Sequence, residues 1–268
     1  MADNVTLLMD EYHNEETKTS IYNEIKNSIV NWGLELYVNS SSPLNSPLLE
    51  SYGALVLIAP RRFRKEYDWK VEETRSIMEY VEEGGTLLVT PTRADRNYKI
   101  NFAREIGIDW LGMNQKFVTD FTLHPITKGI FKIHAPWFRA NLIPEWQQIA
   151  RVQLGLRSFP VIAVRELGKG KMIFVSSIML FSKPYMKRND NARLIMNLFE
   201  WIKELGENTG IKRNAPKEEK RIVVTEEVKP KVEIKLGAPQ KSRFCPHCGV
   251  EVPPFAVFCP NCGASIEE

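Results

Sequence analysis

Every cysteine of this chain lies near its C-terminus, as Cys245-Pro-His-Cys248-Gly and Cys259-Pro-Asn-Cys262-Gly, and the 244 residues before them hold none. This distribution constrains both parts of the chain. The long N-terminal part cannot use thiol chemistry. The C-terminal segment has too little apolar surface to fold on a core of its own. Two Cys-x-x-Cys pairs separated by ten residues can set four thiolates around one tetrahedral ion. Cys245, Cys248, Cys259 and Cys262 are therefore the expected ligands of one structural Zn2+ ion. In each pair the Pro and Gly favour a tight knuckle, because Gly accepts the positive φ that turns backbone N–H groups toward sulfur. The metal then supplies much of the folding free energy, on the order of 10 kcal/mol. Phe244, Phe255 and Phe258 are available as a small apolar lid, and His247 reads as a solvent-facing knuckle residue. A pair of disulfides is the alternative. It is disfavoured because Met-Ala-Asp-Asn-Val runs straight into a strand-like stretch without an export signal. The expected location is cytoplasmic.

A hydrophobic fraction of 43% and a charged fraction of 26% describe an ordinary globular protein. No apolar run approaches the roughly twenty residues needed to cross a bilayer, so no membrane role is expected. The net charge of +3 is too small to argue for nucleic acid by itself, and any electrostatic argument has to be local.

Hydrophobic periodicity sets the fold class. Residues 4–9 read as a buried strand, and Ile21, Ile25 and Ile29 recur at helical spacing before Gly33. Leu34–Val38 is a second strand, and 54–59 is the clearest central one. A helix over about 68–83 ends at Gly84-Gly85, directly before the strand 86–90. Residues 161–166 and 171–176 form a hairpin around Gly168-Lys-Gly170, and a helix over 190–205 carries Leu194, Ile195, Leu198, Phe199 and Ile202 on its inner stripe. Strands alternating with helices predict an α/β domain over 1–205: a flavodoxin-like, mostly parallel sheet with helices on both faces. Residues 206–243 read as a charged linker, with Ile222, Val224 and the alternation through Leu236 leaving room for a short strand that pairs with an exposed sheet edge. The zinc module occupies 244–264.

Three segments carry a family resemblance: Tyr80-Val-Glu-Glu-Gly-Gly-Thr-Leu-Leu-Val89, His124-Pro-Ile-Thr-Lys-Gly129 and Gly168-Lys-Gly-Lys-Met-Ile-Phe-Val175. The closing pattern Asp190-Asn191, Asn197-Leu198 and Trp201-Ile202 joins them. In this order they resemble the class I glutamine amidotransferase-like fold, and within it the non-catalytic branch with the GIFT domain of intraflagellar transport proteins and the gliding-transporter domain. The last twenty or so residues resemble the zinc-ribbon modules found on many otherwise unrelated prokaryotic, especially archaeal, proteins. Catalytic members of the amidotransferase superfamily carry a cysteine on the turn after a central strand. The matching turn here is Pro91-Thr92-Arg93, so the resemblance implies a domain without that nucleophile. Thr92 or Ser176 would be the substitute hydroxyl, with His13, His124 or His134 as its base. His124 opens a His-Pro turn, where a structural hydrogen bond is the commoner role. No Walker-type loop, Gly-x-Gly-x-x-Gly after a strand or His-Glu-x-x-His is present, and no nucleotide cofactor is implied.

Two surfaces remain. Arg61, Arg62, Arg64 and Lys65 follow the third strand, and Arg93, Arg96 and Lys99 follow the fourth. In an open parallel sheet both loops leave at the carboxyl edge, where ligands bind. This rim is either an anion site suited to RNA or a ribonucleoprotein, or a solvated edge paired with Glu66, Asp68 and Asp95. Trp137, Phe138 and Trp146, flanked by Pro136 and Pro144, read as an ordered loop. They are local core, or, if exposed, a protein interface. The expected function is that of a non-enzymatic cytoplasmic adaptor, an α/β platform with a tethered zinc ribbon that meets a protein or ribonucleoprotein partner, with homodimerisation plausible. An RNA- or ribosome-binding factor and a hydrolase with a Ser/Thr nucleophile are the alternatives.

Overall fold

Uninterrupted apolar runs become strands that are buried on both faces. The computed structural model describes residues 5–13, 20–58, 70–91, 101–208, 220–222, 243–244 and 251–252, and the chain divides into two compact units, Met1–Glu227 and Val228–Glu268. The first unit begins β1 (Thr6–Asp10), α1 (Ser20–Asn31), β2 (Glu35–Asn39), α2 (Ser46–Leu49), β3 (Ala54–Ile58), α3 (Val71–Glu82), β4 (Thr86–Thr90) and α4 (Asn101–Glu105). It continues β5 (Ile108–Val118), β6 (Asp120–Phe121), β7 (Ile133–Leu142), β8 (Gln147–Leu154), β9 (Arg157–Leu167), β10 (Gly170–Val175), α5 (Lys183–Met186), α6 (Asn191–Asn208) and β11 (Lys220–Ile222).

The main sheet has the order β11-β2-β1-β3-β4-β10-β9-β8-β6. Its five strands from β2 to β10 are parallel, and antiparallel strands extend it on both sides. Strand residues alternate between faces. Leu7, Met9, Val56 and Leu88 join a core with Ile25 and Ile29 of α1 and Leu194, Leu198 and Ile202 of α6. Leu8, Leu55, Leu57, Leu87 and Val89 join a second core with Ile77 and Val81 of α3 and Phe102 of α4. Helices therefore cover both faces, as the strand-helix alternation predicts.

Two of the motifs quoted above turn out to be one contact. The Gly84-Gly85 turn after α3 docks on the Gly168-Lys-Gly170 hairpin, with Lys169 N–H donating to Glu82 O and Lys171 N–H to Gly85 O. A Cβ on Gly170 would lie 2.1 Å from Val81 O and 2.3 Å from Gly85 O, and one on Gly85 would lie 2.3 Å from the Tyr80 ring. Backbone approaches backbone at Gly170 and a ring covers Gly85, and only glycine leaves room at either.

The structure corrects the sequence reading in two places. The stretch from His134 to Gln147 is not a loop: residues 133–142 form β7, which pairs antiparallel with β5 in a separate two-stranded sheet, and Gln147 begins β8. Trp137, Phe138 and Trp146 are only 0%, 2% and 3% exposed, so none presents a protein interface. Phe138 N–H donates to Ser176 O, holding β7 against the end of β10, and Trp146 Nε1 donates to Ile106 O at 2.7 Å. Residues 206–208, read as the start of the linker, belong to a helix, and the short edge-pairing strand allowed for within 206–243 is present. α6 runs on to Asn208, and β11 pairs antiparallel with β2 through Lys220↔Val38 and Ile222↔Leu36. That strand covers an edge which would otherwise present unpaired backbone groups. The alternation through Leu236 lies outside the described residues. In the second unit, β12 (Arg243–Phe244) pairs antiparallel with β13 (Glu251–Val252).

Two substitutions test this packing. Trp137→Ala is expected to lower stability by about 3–5 kcal/mol in urea unfolding. Gly170→Ala is expected to cost about 1–3 kcal/mol, since its Cβ meets backbone that cannot yield.

Candidate functional site

β1 and β2 end in Asp10 and Asn39 at the carboxyl edge of the parallel sheet. There the chain order reverses between β1 and β3, the place where open α/β sheets form ligand crevices. Asp10, His13 and Glu73 meet at this edge, only 2%, 3% and 4% exposed. His13 Nδ1 donates to Asp10 Oδ2 and Nε2 donates to Glu73 Oε1, both at 3.0 Å. The carboxylates have further donors. Asn39 Nδ2 reaches Asp10 Oδ1 at 3.2 Å, Leu44 N–H reaches Glu73 Oε1 at 3.0 Å, and Lys70 N–H reaches Glu73 Oε2 at 3.1 Å. Burial opposes charge on His13, but the hydrogen bonds and charges of the two carboxylates outweigh it and raise its pKa to about 9. Burial likewise opposes charge on Glu73, yet the bonds from His13, Lys70 and Leu44 hold its pKa below the usual value. Burial pushes Asp10 upward despite the bonds from His13 and Asn39.

An imidazolium that donates from both nitrogens has no lone pair with which to accept a proton. In this state His13 is not the general base that a hydroxyl nucleophile needs. It ties the end of β1 to the first turn of α3. Among the described residues, no group of three His, Cys, Asp or Glu side chains is placed to hold a metal ion.

Thr90 ends β4, and Ser176 and Ser177 follow β10, its parallel neighbour. Their hydroxyls are buried and have no hydrogen-bond partner among the described residues. Ser176 is 0% exposed, and none of the three candidate histidines reaches its hydroxyl. Thr92 lies outside the described residues, as do Arg61, Arg62, Arg64, Lys65, Arg93, Arg96 and Lys99 of the basic rim.

The other candidate histidines are engaged locally. His124 caps the 3₁₀ turn Pro125–Thr127, with Ile126 N–H donating to its Nδ1 at 3.2 Å, and its ring meets Trp201 edge-on at 4.7 Å. Asn197 Nδ2 donates to Ile126 O and Lys128 O. The second and fourth motifs of the resemblance are thus also one contact, a loop tied to α6. His134 sits on β7, where Arg188 donates to its Nδ1 at 3.1 Å. Burial, then the charges of Arg188 and Lys132, lowers its pKa.

Asp10, Asn39 and Glu73 were not among the sequence candidates. A carboxylate or amide closing a buried strand was the available signal for the first two. Glu73 looked like an ordinary residue of a helix's first turn.

The four cysteines also lie outside the described residues.

The sequence profile of the zinc-ribbon domain family matches residues 244–266, and this module binds zinc. No curated protein matches the chain. Among solved structures, the mmIFT52 N-terminal domain is 18% identical with a TM-score of 0.60, over 74% of this chain and 96% of that one. The cytoplasmic protein STM1381 of Salmonella typhimurium LT2 is 17% identical with a TM-score of 0.53, over 74% and 99%. A β-galactosidase from Rahnella sp. R3 is 13% identical with a TM-score of 0.51, over 76% of this chain but 31% of that one. Identities this low establish a shared fold alone.

The ion cluster yields a pH signature. Because the folded pKa of His13 is raised, its stabilisation is complete below the ordinary histidine value of about 6.5 and is lost as pH rises through about 9. Wild-type protein should lose on the order of 3 kcal/mol across that window in urea titrations. His13→Gln should be about 3–5 kcal/mol less stable at pH 6.5 and nearly flat over the same window.

Proposed function

We propose that the chain is a non-enzymatic cytoplasmic adaptor, with an α/β platform of the non-catalytic, GIFT-like amidotransferase branch and a tethered ribbon holding one structural zinc ion. The observation that carries this reading is the state of the carboxyl edge. Among the described residues, the acid and base side chains that meet there, Asp10, His13 and Glu73, are buried and satisfy one another and nearby backbone. Four thiolates from Cys245, Cys248, Cys259 and Cys262 would fill the zinc coordination sphere, leaving no open position for a reacting group. Tethering such a ribbon to a second binding surface lets two weak contacts add.

Metal analysis of reduced protein should return close to one zinc per chain, and Cys259→Ser should lose it while the α/β unit keeps its unfolding transition. Affinity recovery from native cells should then yield a defined protein partner, insensitive to nuclease and lost with Cys259→Ser. Recovery abolished by nuclease would replace this reading with an RNA- or ribosome-binding factor. Covalent labelling of Thr92 or Ser176 by a hydroxyl-directed phosphonylating probe would replace it with a hydrolase.

A further inference from the structure

A second surface combines one exposed and two half-buried rings with cations that, among the described residues, make no ion pair with a carboxylate. On the β5–β7 sheet, Phe117 lies directly opposite His134, their ring centroids 4.5 Å apart. Phe117 is 50% exposed. The Lys132 ammonium sits 3.9 Å from the Phe117 centroid. On the other side His134 approaches Tyr185 at 6.1 Å, and the Arg188 guanidinium lies 4.6 Å from the Tyr185 centroid while donating to His134 Nδ1. Among the described residues no ion pair engages Lys132 or Arg188, and both are exposed.

This surface is held rigid from beneath. Asp190 Oδ2 accepts from Phe131 N–H and Lys132 N–H at 2.8 and 3.0 Å. The buried Asn191 donates to His134 O and Tyr185 O, both at 2.8 Å, and accepts from His134 N–H at 3.0 Å. Two consecutive residues at the start of α6 therefore fix the strand and the turn that carry the rings and cations. A preorganised surface loses little conformational entropy when it binds.

We infer that Phe117, Lys132, His134, Tyr185 and Arg188 form a binding surface for single-stranded nucleic acid. Two cations that make no ion pair among the described residues supply phosphate contacts, and the rings between them supply stacking faces, the combination that single-strand binders use. Lys132 is the movable part. Its flexible stem lets the ammonium leave the Phe117 face for a phosphate, opening that face to a base. Arg188 offers a planar fork to a second phosphate. An acidic peptide would satisfy the cations but leave the rings unused, which favours the nucleic acid. The inference goes beyond the adaptor reading and does not depend on the ribbon.

The test uses full-length, zinc-loaded protein and a fluorescein-labelled strand of about ten uridylates, with anisotropy read from about 50 to 200 mM salt. Wild type is expected to bind, more weakly as salt rises. Lys132→Glu/Arg188→Glu should bind at least about tenfold more weakly, with a salt slope smaller by about 1.4 for two lost phosphate contacts. Phe117→Ala should weaken binding about fivefold or more with the slope unchanged. Cys259→Ser should bind as wild type does, which separates this surface from the ribbon. The inference is overturned if wild type does not bind the strand, or if the charge-reversed variant keeps wild-type affinity and slope. Loss of binding with Arg61→Glu/Arg62→Glu/Arg64→Glu alone, or displacement of the strand by an acidic phosphopeptide at equal concentration, would also overturn it.

Discussion

A sheet buried on both faces has no solvent on either side of it, so whatever the loops leave unsatisfied at its ends must be met by side chains. This constraint organises the N-terminal unit. Glu73 receives the backbone of Leu44 and Lys70, Asp190 that of Phe131 and Lys132, and Asn197 donates to the carbonyls of Ile126 and Lys128. Each joins chain segments that are distant in sequence. The burial of His13 between Asp10 and Glu73 is the most demanding case, because charges there persist only as a mutually satisfied set.

The same economy bears on function. Residue types that suggest catalysis, histidine among carboxylates at a strand end, are used here to close the fold. The motifs of the family resemblance behave alike: Gly-Gly docks on Gly-Lys-Gly, and the His-Pro turn docks on α6. What these motifs make is contact between elements, and the fold they help to close is shared with the mmIFT52 N-terminal domain, with STM1381 and with part of a β-galactosidase at under 20% identity.

How legible each part was depends on the range of the interactions that made it. β1, β3 and β4 were readable because each carries an unbroken run of three to five apolar side chains, which suits a strand covered on both faces, and α6 because its stripe recurs at helical spacing. The β5–β7 sheet was not. Pro136, Pro144 and the aromatics between them look like a loop until β5 supplies the pairing and the core buries Trp137. β11 was visible only as a short alternation that needed the β2 edge to become a strand.

By itself the sequence determined the metal module and the α/β class, since cysteine spacing and apolar periodicity act over a few residues. Only the tertiary structure decided which polar residues meet. Asp10 and His13 are near neighbours, but Glu73 joins them from sixty residues further along the chain, and Arg188 reaches His134 from another element altogether. A pKa, a cation–ring contact and a ring left in solvent are properties of packed neighbours, and a linear chain does not specify its neighbours until it folds.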